Sequence, residues 1–386
     1  MALLLSRATR LQIGSVLAVL LLVVTACGGE TLAPTDEAGS AAGEGSGESG
    51  ENTEAADSNN TSDPADQDAG TNGHTDADDP DTAVPDAGPV DRLLEPVADN
   101  PTPQLPATFE DAVGNSITVT DIDRIVPLSG SLAEIVFSLG LGDHVVARDV
   151  AANFPEAEHI PVVTEGHEVS AEGVLSTRPT VVLTDGSVGP PEAIDAIRSA
   201  GIPVVQFDEA WTIDDIAPRL EAVAHALGVD EAGEVLVQRT DDAVADARVD
   251  DLPGDSPPQI AFLYLRGTAA VYLIGGEGSG ADAMIEAVGG VDAGKEAGLS
   301  AFTPITSEAL ISAAPDVILV MDKGLDSVGG VDGLRELPGI AQTPAGRENR
   351  VIAMDDSLLL SFGPRTGEAL HELADELVAV LEDDGE

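Results

Sequence analysis

The chain has 386 residues, with 70 acidic side chains against 17 basic ones, for a formal net charge of -53. That imbalance excludes nucleic acid and anionic lipid surfaces as partners, since both are polyanions. Cys27 is the only cysteine, which excludes an intrachain disulfide.

Arg7 and Arg10 precede an apolar run over 13–24, and small residues lead from there to Cys27. A basic start, a short apolar core and a cysteine after small residues describe a lipoprotein signal peptide over 1–26. The run is short for a membrane span. Cys27 is then the lipidation site, and the mature protein is expected to be exported and held on the outer face of the cell membrane through that lipid alone. Residues 27–104 read as an acidic, disordered tether. After Cys27 they hold nineteen acidic residues, one basic residue and no aromatic one, too little apolar surface to offset the entropy of ordering. His74 lies inside it without a second ligand at useful spacing.

Order is expected from near Phe109. Residues 116–120 alternate as a strand, 125–128 form a short buried strand, and 132–139 form a helix with Leu132, Ile135, Val136 and Leu139 on one face. Short apolar runs at 145–147, 160–163, 180–183 and 203–207 read as further strands. Helices open at Ser170 and Pro191 between them. Thr212 and Asp215 make a helix-capping pair. A long helix follows Gly228, with Ala232, Val235, Leu236, Ala243 and Ala247 as its apolar stripe. Strands are expected again at 260–265, 271–274, 317–321 and 350–354. Helices are expected at 281–288, 307–313, 332–336 and from Thr366 to Leu381. The glycine-rich run 275–280 lacks the lysine of a phosphate-binding loop and reads as a flexible loop.

Strands alternating with helices predict parallel sheets covered on both faces. The second half also echoes the first. Residues 170–183 match 306–319 without a gap, with Glu172 and Glu308 in the same place, and 135–143 echo 284–292. The expected fold is therefore α/β: two similar Rossmann-like lobes, 105–229 and 251–386, joined by one long helix over 230–250. A ligand cleft is expected between them.

The apolar strand at 260–265 ends in Tyr264, Leu265 and Arg266. Period-2 alternation puts Tyr264 and Arg266 on one face, at the carboxyl end where open α/β sheets bind ligands. By residue type alone Tyr264 would be a core tyrosine and His167, in a Gly-His-Glu turn, a polar loop histidine.

This architecture, with its lipoprotein start, resembles the substrate-binding proteins of ABC importers for iron-siderophores, cobalamin and haem. The resemblance rests on 124–129 with 134–145, on 169–185, and on 305–310 with 315–320. Within that family, the runs 166–169 and 264–266 are similar to haem carriers of actinobacterial type. The resemblance implies that His167 and Tyr264, one from each lobe, ligate the iron of ferric haem b, the transported ligand. Arg266 would support Tyr264 or pair with a haem propionate, and Met321 would line the pocket or simply pack in the core. Filling both axial positions leaves no site for oxygen chemistry, so no enzymatic activity is expected. Glu172 and Glu308 would dock on the permease dimer of the importer and its ATPase, or are helix N-terminal acids favoured by the macrodipole. Haem or haem-donor proteins would be the other partners. A ferric siderophore or corrinoid is the alternative cargo, and a haem-dependent enzyme is the alternative of a different class. His144, His159, His225 and His371 lack such context and read as surface or core-edge residues, Tyr272 as a secondary candidate, and Trp211 as packing beside the long helix.

Overall fold

The computed structural model describes residues 94–248, 252–254 and 256–382. The expected signal peptide, Cys27 and most of the expected tether lie outside the described residues. Among the described residues, no helix is long and apolar enough to cross a membrane.

The expected boundary at 104 falls too late. Residues 94–104 pack on the first lobe: Leu94 is buried, its N–H donates to Glu156, the N–H of Val97 donates to Ser138, and that of Gln104 to Gly228. Composition averaged over 28–104 hid Leu94, which is buried, and Val97, which is partly buried against the main core.

In the first lobe, Ala107–Glu110 pairs antiparallel with Ser116–Val119. A three-stranded parallel sheet follows in the order Ile125–Pro127, Val181–Thr184, Val204–Gln206. Helices Gly130–Ser138, Ala171–Ser176, Pro191–Ser199 and Ile216–Ala226 accompany it. The strands expected at 145–147 and 160–163 shrink to single bridges, Ile125 to Val145 and Arg148 to Val162. Pro161 has no N–H to extend a ladder. The Arg148 guanidinium instead ties this stretch together by donating to the carbonyls of Ile160 and Ala152. Asp215 caps its helix as expected, accepting from the Thr212 N–H at 2.9 Å and hydroxyl at 2.7 Å.

The long helix is Asp230–Asp246. It packs on Ile216–Ala226 and on the last helix, Thr366–Glu382. Gly367 makes the second approach possible, since a Cβ there would lie 2.5 Å from that of Ala243.

The second lobe differs from the expected all-parallel sheet. Gln259–Arg266, Val317–Met321 and Val351–Met354 are parallel neighbours. Val271–Gly275 runs antiparallel to Gln259–Arg266, and Phe302–Pro304 antiparallel to Val271–Gly275. The reason is the connection. Only 267–270 separate the first two strands, and a parallel crossover needs about a dozen residues or more. The run 275–280 is built rather than loose. Asp282 accepts the N–H groups of Gly278 and Gly280, and Gly276 and Glu277 bond to the backbone at 301 and 299.

One apolar cluster runs through both lobes, from Ile125 and Leu183 through Leu236 of the long helix to Phe262, Leu319 and Leu373. The internal repeat survives in local structure. Ser170 caps Ala171–Ser176 by accepting from Gly173, and Thr306 caps Ser307–Ala313 by accepting from Ala309. Glu172 and Glu308 each stand second in their helix, and both are exposed.

Candidate functional site

Alternation along Gln259–Arg266 sorts its side chains as expected. Ile260, Phe262 and Tyr264 join the cluster that continues into the first lobe, while Ala261, Leu263 and Leu265 face a second core on the other side of the sheet. Tyr264 and Arg266 end the strand together, both half-buried. The Arg266 guanidinium carbon lies 4.4 Å from the centroid of the Tyr264 ring. A cation over a ring face is attracted by the ring quadrupole, by about 0.5–1 kcal/mol where water has access. The edge of Phe302 meets the same ring at 5.9 Å between centroids.

Arg266 is held at its own end as well. It donates to the Leu265 carbonyl at 2.8 Å and to Asp356 Oδ1 at 3.2 Å. Asp356 Oδ2 accepts the backbone N–H of Lys323 at 3.0 Å. Met321 ends the adjacent parallel strand, whose Val320 pairs with Leu263. Three carboxyl-terminal strand positions therefore lie side by side: Tyr264, Met321 and, through the pair Met321–Met354, the approach to Asp356. Met321 itself is buried in the main core.

His167 stands on the first lobe, in the turn between the short antiparallel strands Thr164–Glu165 and Glu168–Val169. Gly166 takes φ 58°, a left-handed conformation that suits a glycine in a tight turn. The His167 imidazole is exposed, and its backbone is fixed by the N–H of Gly189 at 2.8 Å. Thr164, at the base of the hairpin, donates its hydroxyl to Asp149 at 2.6 Å. Burial raises the Asp149 carboxyl above the ordinary range, and the nearby Asp185 adds to this against the Thr164 and backbone hydrogen bonds. Asp185 is itself buried, yet its pKa is lowered. Desolvation is outweighed by the Arg219 guanidinium at 2.8 Å and by serine hydroxyls. Arg219 also donates to Ser131.

Between the lobes lies a cavity of ≈ 180 Å³, bounded by Ser129, Ser131 and Glu134 on one side and by Asp356, Ser361 and Arg365 on the other. Glu134 and Arg365 close it with a buried pair. Glu134 Oε2 accepts from the guanidinium and Oε1 from the backbone N–H of Arg365, both at 3.0 Å. Burial alone would favour neutral Arg365, but the Glu134 carboxylate prevails and raises its pKa.

The structure thus brings Tyr264 and Arg266 into contact and sets Met321 on the next strand. It carries His167 on the other lobe. The remaining histidines are peripheral: His144 meets Asn100, His225 pairs with Asp230, and His159 and His371 are exposed. Tyr272 lies opposite Leu265 across the hairpin. Trp211 is 43% exposed and stands over Gly280 of the second lobe. Sequence reading missed Asp356, Glu134 and Arg365. Glu134 interrupts an apolar helix face, and a charge there must find a partner when buried. Asp356 follows a strand at the same sheet edge as Tyr264.

A family model described as periplasmic binding protein matches residues 125–358. The chain belongs to this family. Among solved structures, the heme binding protein HmuT is 40% identical, with a TM-score of 0.69, over 74% of this chain and 94% of that one. HmuT has also been solved with a histidine, a tyrosine, and the arginine two residues after that tyrosine each replaced by alanine. An uncharacterized ABC transporter substrate-binding lipoprotein, YvrC of Bacillus subtilis (strain 168), is 25% identical over 72% of this chain and 87% of its own length. A cobalamin-binding protein of Halobacterium salinarum is 28% identical over 56% of this chain, which spans 58% of that relative. The family is thus one of binding proteins with two α/β lobes.

Proposed function

We propose that this periplasmic binding protein captures ferric haem in the cleft between its lobes and delivers it to an ABC importer. The observation that carries the reading is the Tyr264–Arg266 stack at the carboxyl end of a sheet strand. The likeness to a heme binding protein with a tyrosine and an arginine at the same spacing supports it. Tyr264 would supply a phenolate to one face of the porphyrin iron, and His167 an imidazole to the other. Iron coordination removes the phenolic proton, and the guanidinium over the ring favours the resulting anion. A phenolate favours Fe(III), the state expected outside a cell. Met321 would stand at the pocket wall.

Two axial protein ligands suit carriage rather than turnover. Glu172 and Glu308, equivalent in the repeat, would meet a two-fold permease partner. Cys27 would carry the lipid that keeps the carrier beside that permease.

The test is titration of the purified protein with hemin. The expected result is a Soret band near 400 nm, retained in part by Tyr264→Ala or His167→Ala and lost when both are combined. Corrinoid binding is the competing reading, given the cobalamin-binding relative. Cyanocobalamin binding with no hemin spectrum would replace haem as the cargo.

A further inference from the structure

Arg266 has two conceivable uses in a haem site. It can stay with Tyr264, or it can swing to an acidic group of the ligand. The surroundings of its guanidinium decide between them. Its central carbon lies over the Tyr264 ring, 4.4 Å from the centroid. Nη1 donates to the Leu265 carbonyl at 2.8 Å, and Nη2 to Asp356 Oδ1 at 3.2 Å. Helix Asp322–Ser327 closes over it, so that a Cβ placed on Gly324 would come within 3.5 Å of Nη1. Asp356 is more buried than its partner, with 13% of its side chain exposed against 34% for Arg266. Its second oxygen is anchored by the Lys323 N–H. The carboxylate is therefore the fixed member of the pair, and the arginine is the member being held.

We propose that Asp356 is the positioning residue of the tyrosine site. Its carboxylate holds Arg266 over the Tyr264 ring and so commits that cation to the tyrosine rather than to a carboxylate of the cargo. This deepens the haem reading and, for its effect on the cargo, rests on it. Asp356 also walls the cavity between the lobes. The position of the Tyr264 ring is thus linked, through Arg266, to a residue that lines this cavity.

The first test needs no haem. The full chain has two tyrosines, Tyr264 and Tyr272. Labelled with 3-fluorotyrosine, it should give two ¹⁹F resonances, assigned with Tyr272→Phe. Arg266→Ala is expected to move the Tyr264 resonance. Asp356→Ala should move it in the same direction, and the double variant should move it no further than Arg266→Ala alone. The Tyr272 resonance should stay in place, reporting an intact fold. Asp356→Asn keeps the shape and removes the charge, and should give a smaller shift of the same sign. A Tyr264 resonance unmoved in both Asp356 variants, or shifts that simply add in the double variant, overturns the proposal.

The second test is hemin affinity. Asp356→Ala should weaken it about 10–100-fold, the range for residues that orient a metal's ligands, and no further when Arg266→Ala is added. Additive losses again overturn the proposal. If the parent chain gives no hemin spectrum at all, the haem reading fails, and the fluorine result still decides what Asp356 does.

Discussion

The buried pair Glu134–Arg365 gives a sharp test of how the lobes are held together. The residues lie 231 positions apart, one on each lobe. Only 3% of the Glu134 side chain and 10% of the Arg365 side chain are exposed. Arg365 Nε is already without a hydrogen-bond partner. Glu134→Ala would strip the guanidinium of its hydrogen-bonded and strongest counter-charge, leaving only the weaker pull of Glu368 and Asp355 in a site that is nearly buried. Breaking a buried pair from one side costs about 3–5 kcal/mol. Arg365→Ala leaves the carboxylate one donor, the backbone N–H at 3.0 Å, and should cost somewhat less. The double variant removes both charges and should be more stable than the sum of the single losses implies, by roughly 1–3 kcal/mol of coupling. Urea denaturation followed by Trp211 fluorescence and by far-ultraviolet circular dichroism would measure the cycle. Coincident transitions license a single free energy. Single losses that add to within about 0.5 kcal/mol would refute the argument, because independent sites behave in that way.

Asp292 predicts a pH dependence. It is buried, one of its oxygens has no partner, and desolvation raises its pKa from 3.8 to about 6. A carboxyl group whose pKa is raised by folding destabilises the folded state wherever it is ionised, here by about 3 kcal/mol at 1.36 kcal/mol per unit. Asp292 caps the helix Ala293–Glu296 by accepting the Lys295 N–H. Asp292→Asn keeps an oxygen for that bond and should stabilise the protein by up to that amount above pH ~6, with the gain shrinking to nothing as pH falls toward about 4; denaturation midpoints at pH 8 and pH 4 check it. On the outer surface, Glu172→Arg combined with Glu308→Arg should leave the hemin spectrum intact and abolish uptake through the cognate importer. Unchanged uptake would return both residues to the role of helix N-terminal acids.

Much of this molecule was legible because local periodicity and capping agree with the fold. The helix Ser307–Ala313 and the strand Val317–Met321 stand where their patterns put them. Tyr264 and Arg266 share a face because a strand has period 2, a fact independent of tertiary context. What was not legible depended on long-range pairing. The antiparallel turn at 267–270 overrode the expectation of a parallel sheet through connection length alone. Leu94 and Val97 were lost in an average over an acidic stretch, although their apolar contacts, with backbone hydrogen bonds to Glu156, Ser138 and Gly228, seat residues 94–104. The 275–280 run looked loose by composition, yet the Asp282 carboxylate organises it. Glu134 and Arg365, like Asp356 and Arg266, are partners across more than eighty positions, and no local pattern announces such a pair.

These long-range pairs bear on how a cleft of this kind works. One apolar cluster passes through both lobes by way of the long helix and the last helix. The Glu134–Arg365 pair crosses the cleft at its floor, and Trp211 rests on Gly280 across the same divide. Opening the lobes widely would expose part of that core and separate two charges buried together, at a cost of several kcal/mol. Small displacements around a fixed floor cost far less. The proposed ligands sit accordingly: Tyr264 on a central strand with Arg266 over its ring, and His167 at the tip of a two-residue hairpin. The first is half-buried against the main core, and the second presents an exposed imidazole. If these two residues are the donors, one packed and one exposed, a flat, rigid cargo would be admitted with little movement of the lobes. Adjustment to that cargo should therefore concentrate at 164–169, where hydrogen exchange should slow most when hemin is added. Slowing spread evenly over both lobes would indicate closure of the lobes instead.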